Sequence, residues 1–215
     1  MNPVIDWENA ARYAEEHTTQ PDRVLYELDR WVHLYRAQPR MAAGAYQGKL
    51  LEFLTSMTRP LKAVEVGSFV GYSTICIARG LAPEGTLHAI EIDEECEPVI
   101  RRNLAQAHLS DKVSLHIADA QSVIPTLGDN IDFAFIDADK TSTRHHYDLL
   151  VPRMRKGGVI LIDNVMWSGK VLVPHPATDH DTARFKAFND YIQSDPRVEN
   201  IFLPLRDGLL LCRVV

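Results

Sequence analysis

From residue 62 onward the chain repeats one pattern: a short apolar run, an acid at or just after its end, then a stretch with helical spacing. The runs are Ala63–Val66, Thr86–Ile92, Val113–Ile117, Ile131–Ile136 and Val159–Ile162. The helical stretches cover about Tyr72–Leu81, Glu95–Ala107, Gln121–Leu127 and Tyr147–Met154. Within the runs apolar and polar residues do not alternate, so each reads as a strand buried on both faces. Such strands, separated by helices, demand a parallel sheet with helices on both sides. Right-handed crossovers make that sheet doubly wound.

The two ends depart from the pattern. The first 60 residues are expected to be helical. Asn9–His17 is polar with a few apolar positions, and Val24, Leu25, Leu28, Trp31, Val32 and Tyr35 form one apolar stripe. A third helix is expected over Tyr46–Met57, with Leu50, Leu51 and Leu54 inward. Pro21, Pro39 and Pro60 separate these pieces. Near the other end a helix at about Thr182–Ile192 is expected to bury Phe185, Phe188 and Ile192. Val198–Leu203 and Gly208–Val214 follow with no helix between them, so at least one strand runs antiparallel. With 215 residues, no repeat and no linker, the chain reads as one domain, 1–215, with residues 1–60 as a helical extension.

Composition excludes several function classes. A formal charge of −6 lacks the basic face that phosphate backbones need, so nucleic acid is not the expected partner. No apolar run approaches the roughly 18 residues of a membrane span. The start, MNPVIDWENAARYAEEH, has acids where a signal peptide has bases. Cys76, Cys96 and Cys212 are odd in number and form no CxxC, which argues against a disulfide framework or a zinc knuckle. A cytoplasmic location is therefore expected.

Ligands of open α/β sheets bind outside the carboxyl ends of the strands. The strand-end acids Glu65, Glu91, Asp119, Asp137 and Asp163 should therefore line one crevice. Any one of them alone also reads as a helix cap. The first strand leads into Glu65-Val-Gly67-Ser-Phe-Val-Gly71-Tyr-Ser73, where the glycines permit close approach of backbone to ligand. The spacing is G-x-x-x-G, not the G-x-G-x-x-G of dinucleotide binders. A carboxylate at Glu65 would repel a pyrophosphate and favour a cationic amino-acid group. Both points argue against a nicotinamide-dependent oxidoreductase. Glu91, 20 residues beyond Gly71, stands where an acid bonds ribose hydroxyls. Together these features point to S-adenosylmethionine.

The fourth run ends in Ile136-Asp137-Ala138-Asp139-Lys140 and the fifth in Ile162-Asp163-Asn164. Asp137, Asp163 and Asn164 offer hard oxygen donors from adjacent strand ends, a set for Mg²⁺, Mn²⁺ or Ca²⁺ and not for zinc. Asp163-Asn164 also reads as a turn out of a strand, Asp137 as a cap and Lys140 as a solvated lysine. The chemical reading gains because all four fall at the mouth that carries the glycine loop.

With these motifs in view, the sequence resembles the cation-dependent small-molecule O-methyltransferases, the group of caffeoyl-CoA and catechol O-methyltransferases and their bacterial relatives. Tyr13 with His17-Thr18, Arg40-Met41-Ala-Ala43, EVGSFVGYS, IEID, IDADK, IDNVMW and LPLRDGLLLCR carry the resemblance in that order over nearly the whole chain. It implies a Rossmann-like class I methyltransferase, with a seven-stranded, mostly parallel sheet that contains one antiparallel strand. It implies that Asp137, Asp163 and Asn164 hold the metal, with Mg²⁺ foremost. Glu65, Gly67, Ser68 and Ser73 match the methionine side of the cofactor site, Glu91 the ribose acid, and Ala43, Ala120 and Asp139 further cofactor contacts. Lys140 matches the general base, and Trp167 and Asp207 lie where relatives shape the acceptor pocket. The implied acceptor is a catechol-like vicinal diol, and the implied assembly is a homodimer. The chain departs from many relatives at Ala43 (a hydroxyl residue), at Thr143 and His146 (tyrosines) and at Ser168 (asparagine in plants). A non-catalytic S-adenosylmethionine-binding protein is the alternative; loss of a metal ligand or of the lysine would favour it, and neither is lost. Of the histidines, His145-His146 are expected on the acceptor side, and Val173–Asp181 is expected as a mobile loop over the site.

Overall fold

The computed structural model describes residues 6–139 and 141–215. Five strands carry the repeat: β1 (Lys62–Val66), β2 (Thr86–Glu91), β3 (Val113–Ile117), β4 (Ile131–Ile136) and β5 (Met154–Asp163). β6 (Val198–Leu203) and β7 (Leu209–Val214) complete one sheet in the order β3-β2-β1-β4-β5-β7-β6. The first five strands pair in parallel, while β7 runs antiparallel to both β5 and β6. The expected mostly parallel, doubly wound sheet with one reversed strand is what forms.

Alternate residues of the central strands feed two cores. Ala63, Phe133, Phe135 and Leu161 face the helices α2 (Arg23–Tyr35), α3 (Gly44–Thr58), α4 (Tyr72–Arg79) and α5 (Glu97–Gln106). Val64, Val66, Ala134, Ile136, Ile160 and Ile162 face α6 (Ala120–Val123), α7 (Thr143–Leu150) and α8 (His180–Gln193). All ten of these strand residues are at most 1% exposed. Each large one contributes about 1.5–3 kcal/mol by leaving water. The helical start includes α1 (Trp7–Glu16), and Leu25, Leu28 and Val32 bury the expected stripe of α2. Tyr35, at the end of that helix, is exposed instead. No helix among the described residues is long and apolar enough to cross a membrane.

Two expectations need correction. β3 is half-exposed along its whole length, because it is an edge strand with one neighbour. An unbroken apolar run does not distinguish an edge from a centre. The helix expected from Tyr147 begins at Thr143 and ends at Leu150; Pro152 sits in the 3-10 turn that follows, and β5 starts at Met154. That early start contains a bulge: Ile131 pairs with Met154, but Phe133 pairs with Val159. Gly157, at φ +78°, supplies the left-handed residue the bulge needs.

Candidate active site

Pairing register decides which strand-end groups meet. Ile90, Val66, Ile136 and Ile162 lie in one row across β2, β1, β4 and β5. The next residue on each strand therefore forms the carboxyl rim: Glu91, Gly67, Asp137 and Asp163. Glu65 sits one row below the rim. Asp119 lies two residues past Ile117, the partner of Glu91, and caps α6 by accepting from Gln121 N at 2.8 Å. Three of the five strand-end acids are thus in register at the rim; Asp119 caps α6 and also lines the crevice, as expected, so that only Glu65 does not.

The rim opens into a cavity of about 1290 Å³. That volume exceeds an ordinary small-molecule site of about 300–1,000 Å³ and has room for two ligands side by side. Ala43, Gly67, Ser68, Ser73, Glu91, Ala120, Asp137, Asp139, Asp163, Asn164, Trp167 and Asp207 all line it. Glu65 does not, and Lys140 lies outside the described residues. The segment Val173–Asp181 contributes no lining residue; Met166–Lys170 form that wall instead.

The glycine loop is held by the acids around it. Glu91 Oε2 accepts from Phe69 N at 2.6 Å, and Oε1 accepts from Ile92 N and Asp93 N, both at 2.9 Å. Gly67 adopts φ +92°, and a Cβ there would come within 2.1 Å of the Asp137 carbonyl oxygen. No side chain fits between β1 and β4 at this level. We expect Gly67→Ala to add about 2–4 kcal/mol of strain and overpacking. That should lower the thermal midpoint by roughly 5–10 °C. Gly169→Ala, at φ +74° with nothing within 4 Å among the described residues, should cost less than half as much. Equal shifts in a thermal melt would show that the contact with Asp137 is unimportant.

Glu65 is fully buried beneath this loop. Its Oε2 accepts from Ser68 Oγ at 3.0 Å and Thr74 Oγ1 at 2.5 Å, while Oε1 is buried with no hydrogen-bond partner among the described residues. Burial lifts its pKa from 4.5 to about 7, against the lowering effect of the nearby hydroxyls. The unfolded chain therefore loses this proton first, and stability falls as pH rises from about 4.5 to 7. The whole effect is on the order of 3 kcal/mol. Glu65→Gln should match the wild-type melting temperature at pH 4 and exceed it by several degrees at pH 8. A constant difference across that range would contradict the shifted titration.

At the other side of the rim, Asp163 is 5% exposed and receives a hydrogen bond on each oxygen. Asn164 N donates to Oδ1 and Gln47 Nε2 to Oδ2, both at 2.7 Å. Asn164 takes the left-handed conformation (φ +61°) that asparagine tolerates, as the chain leaves β5. Trp167, Ser168 and Gly169 are all left-handed too, at φ +50°, +55° and +74°. Asp207 ties this strained wall: its Oδ1 accepts from Ser168 N at 2.6 Å and its carbonyl from Met166 N at 2.8 Å. Trp167 stacks on Phe185 at 4.8 Å between ring centroids. His146 lines the cavity at 4% exposure, and burial lowers its pKa. Asp139 Oδ2 accepts from the hydroxyls of Thr141 and Ser142, and these bonds hold its pKa below the usual range.

Among the described residues no three His, Cys, Asp or Glu side chains cluster as a metal cage. The candidate donor set is two carboxylates and one amide, all oxygen, which fits a hard divalent cation and not a thiolate or imidazole metal. The hydrogen bonds that fix Asp163 are of the kind that orient metal-ligating carboxylates. Gln47 lies outside the sequence motifs, and Arg206, though inside LPLRDGLLLCR, had no role assigned there, yet both belong to this arrangement. Gln47 is a fully buried polar residue four positions before Leu51 on the inward face of α3. That placement on an apolar stripe is the signal that could have found it.

The strand order, the reversed seventh strand and a glycine-loop cavity at the carboxyl rim define a class I, Rossmann-like methyltransferase. The model of the O-methyltransferase family matches residues 15–215, and the chain belongs to that family. It is 31% identical over 185 residues to the caffeoyl-CoA O-methyltransferase of Stellaria longipes, covering 81% of this chain and 77% of that one. It is 35% identical over 147 residues to the catechol O-methyltransferase of Mycobacterium tuberculosis, covering 68% and 67%. The solved structure of the O-methyltransferase TomG from Streptomyces achromogenes, in complex with SAM, superposes with a TM-score of 0.86 at 27% identity. That match covers 99% of this chain and 100% of TomG.

Proposed function

We propose that this enzyme transfers a methyl group from S-adenosylmethionine to one hydroxyl of a catechol-like vicinal diol, and that it needs a divalent cation to do so. The observation that carries the reading is the shared cavity, in which Asp137, Asp163 and Asn164 stand beside Gly67, Ser68 and Glu91. The relatives named for caffeoyl-CoA and catechol, and the SAM complex of TomG, support it.

In this reading Glu91 accepts from the ribose hydroxyls, with its carboxylate already aligned by three backbone N–H groups. Gly67, Ser68 and Ser73 receive the methionine end, and Ala43, Ala120 and Asp139 make further contacts. Glu65 beneath the loop favours a cationic ligand, whose charge would draw its pKa back down. Asp137, Asp163 and Asn164 would hold the cation; Mg²⁺ fits their oxygens, as do Mn²⁺ and Ca²⁺. When bound, such a cation lowers the pKa of a coordinated hydroxyl and orients two vicinal oxygens. A phenolic hydroxyl otherwise titrates near 10, by analogy with tyrosine. Lys140 would take the proton of the reacting hydroxyl, a role that requires its amine to be neutral. Trp167 and Asp207 wall the acceptor end, so that the oxygen meets the methyl carbon in line at about 3–3.5 Å. The products are a methyl ether and S-adenosylhomocysteine.

Calorimetric titration of a catechol into the enzyme loaded with S-adenosylhomocysteine tests the arrangement. Binding is expected with Mg²⁺ and not with EDTA, and equal affinity in both would contradict it. A homodimer is the assembly we propose, with exposed apolar residues of the N-terminal helices such as Trp7, Tyr26 and Tyr35 at the contact. Sedimentation at the mass of one chain would rule that out. We place the enzyme in the cytoplasm, where its three free cysteines stay reduced.

A further inference from the structure

We propose that Gln47 is a positioning residue for Asp163, and that Arg206 fixes Gln47 in the orientation this requires. The proposal rests on the reading of Asp163 as a cation ligand. Gln47 is fully buried, so both ends of its amide need partners. Arg206 donates to its Oε1 at 2.7 Å, and its Nε2 donates to Asp163 Oδ2 at 2.7 Å. A guanidinium has donors only. The amide atom facing Arg206 must therefore be the oxygen, and the one facing Asp163 the NH₂ group. Arg206 thereby sets which way Gln47 points.

The order of the relay matters electrostatically. An arginine placed directly on Asp163 would form an ion pair and compete with a cation for the carboxylate. Gln47 passes on a hydrogen bond while keeping the guanidinium charge one residue away. Asp163 is then held by two neutral donors, Gln47 Nε2 and Asn164 N, with its full charge left for the cavity. Arg206 is itself anchored on the carbonyls of Ala43 and Ala42, where the chain enters α3. The β6–β7 turn, the start of α3 and the end of β5 are thus clamped together at the rim. Gln47 does not line the cavity, so its influence on bound ligands runs through Asp163.

Partners of this kind are worth about 10–100-fold in metal affinity. The test is Mn²⁺ binding followed by the electron paramagnetic resonance of the free ion, with S-adenosylhomocysteine affinity measured on the same samples. Gln47→Met keeps the volume and removes both polar ends. It should weaken Mn²⁺ binding about 10-fold or more, with the S-adenosylhomocysteine Kd within twofold of wild type. Arg206→Met leaves Gln47 in place without its anchor and should weaken Mn²⁺ in the same direction, by less. Unchanged Mn²⁺ affinity in Gln47→Met overturns the proposal, as does unchanged affinity in Arg206→Met if Gln47→Met does not fold. If wild type binds Mn²⁺, Asp163→Ala abolishes that binding and Gln47→Met does not alter it, only the role of Gln47 falls. If wild type binds no Mn²⁺, the cation reading falls and takes this proposal with it.

Discussion

Asp163→Ala is expected to remove the response of methyl transfer to divalent cations and to lower kcat/KM by at least about 10³-fold, or roughly 4 kcal/mol of transition-state stabilisation. The size follows from what the carboxylate does in the proposed reaction. It is one of three oxygen donors at the rim, and without it a cation that stabilises developing charge by several kcal/mol is poorly held. A second, smaller cost falls on the fold. Gln47 Nε2 and Asn164 N both donate to this carboxylate, and alanine leaves the buried Gln47 donor unpaired. An unmade bond of that kind costs about 1–3 kcal/mol. The variant should therefore melt lower than wild type in EDTA and gain nothing from Mg²⁺. An undiminished rate that still rises with Mg²⁺ would remove Asp163 from the cation site.

Lys140→Ala is expected to lower kcat by about 10²–10⁴-fold, the usual worth of a positioned base. The Kd of S-adenosylhomocysteine should stay within twofold, because the base acts on the acceptor. Lys140→Arg separates base catalysis from simple positive charge. A guanidinium keeps the charge but cannot be deprotonated, so it should fail to rescue kcat. Recovery in the arginine variant would mean that the charge matters and the proton transfer does not. An unchanged kcat in Lys140→Ala would exclude both roles.

The strands were legible because their run lengths and terminal acids are local properties. β1 to β4 and the closing pair lie within a residue or two of their expected limits. Register was not legible. Glu65 and Gly67 are two residues apart, and only the pairing of Val66 with Ile90 and Ile136 shows that Gly67 is at the rim while Glu65 lies beneath it. The start of α7 was hidden for a different reason. Thr143 and His146 are polar by type yet buried by the fold, so the apolar pattern begins too late. The Gln47–Asp163 and Arg206–Gln47 bonds join residues 116 and 159 positions apart, and no motif spans such distances. By contrast, nearly every residue that the resemblance marked lines the cavity. The residues expected for cofactor and cation fall where strands end, and strand ends are what the sequence marks best.

In the proposed reaction a vicinal diol is methylated with the help of a cation held by Asp137, Asp163 and Asn164. The most direct measurement is methyl transfer from labelled S-adenosylmethionine to a catechol and to the matching monophenol, each with Mg²⁺, Mn²⁺, Ca²⁺ or EDTA. Product is expected from the catechol only when a cation is present, and none from the monophenol under any condition. Equal methylation of the two acceptors, or full activity in EDTA, would contradict it.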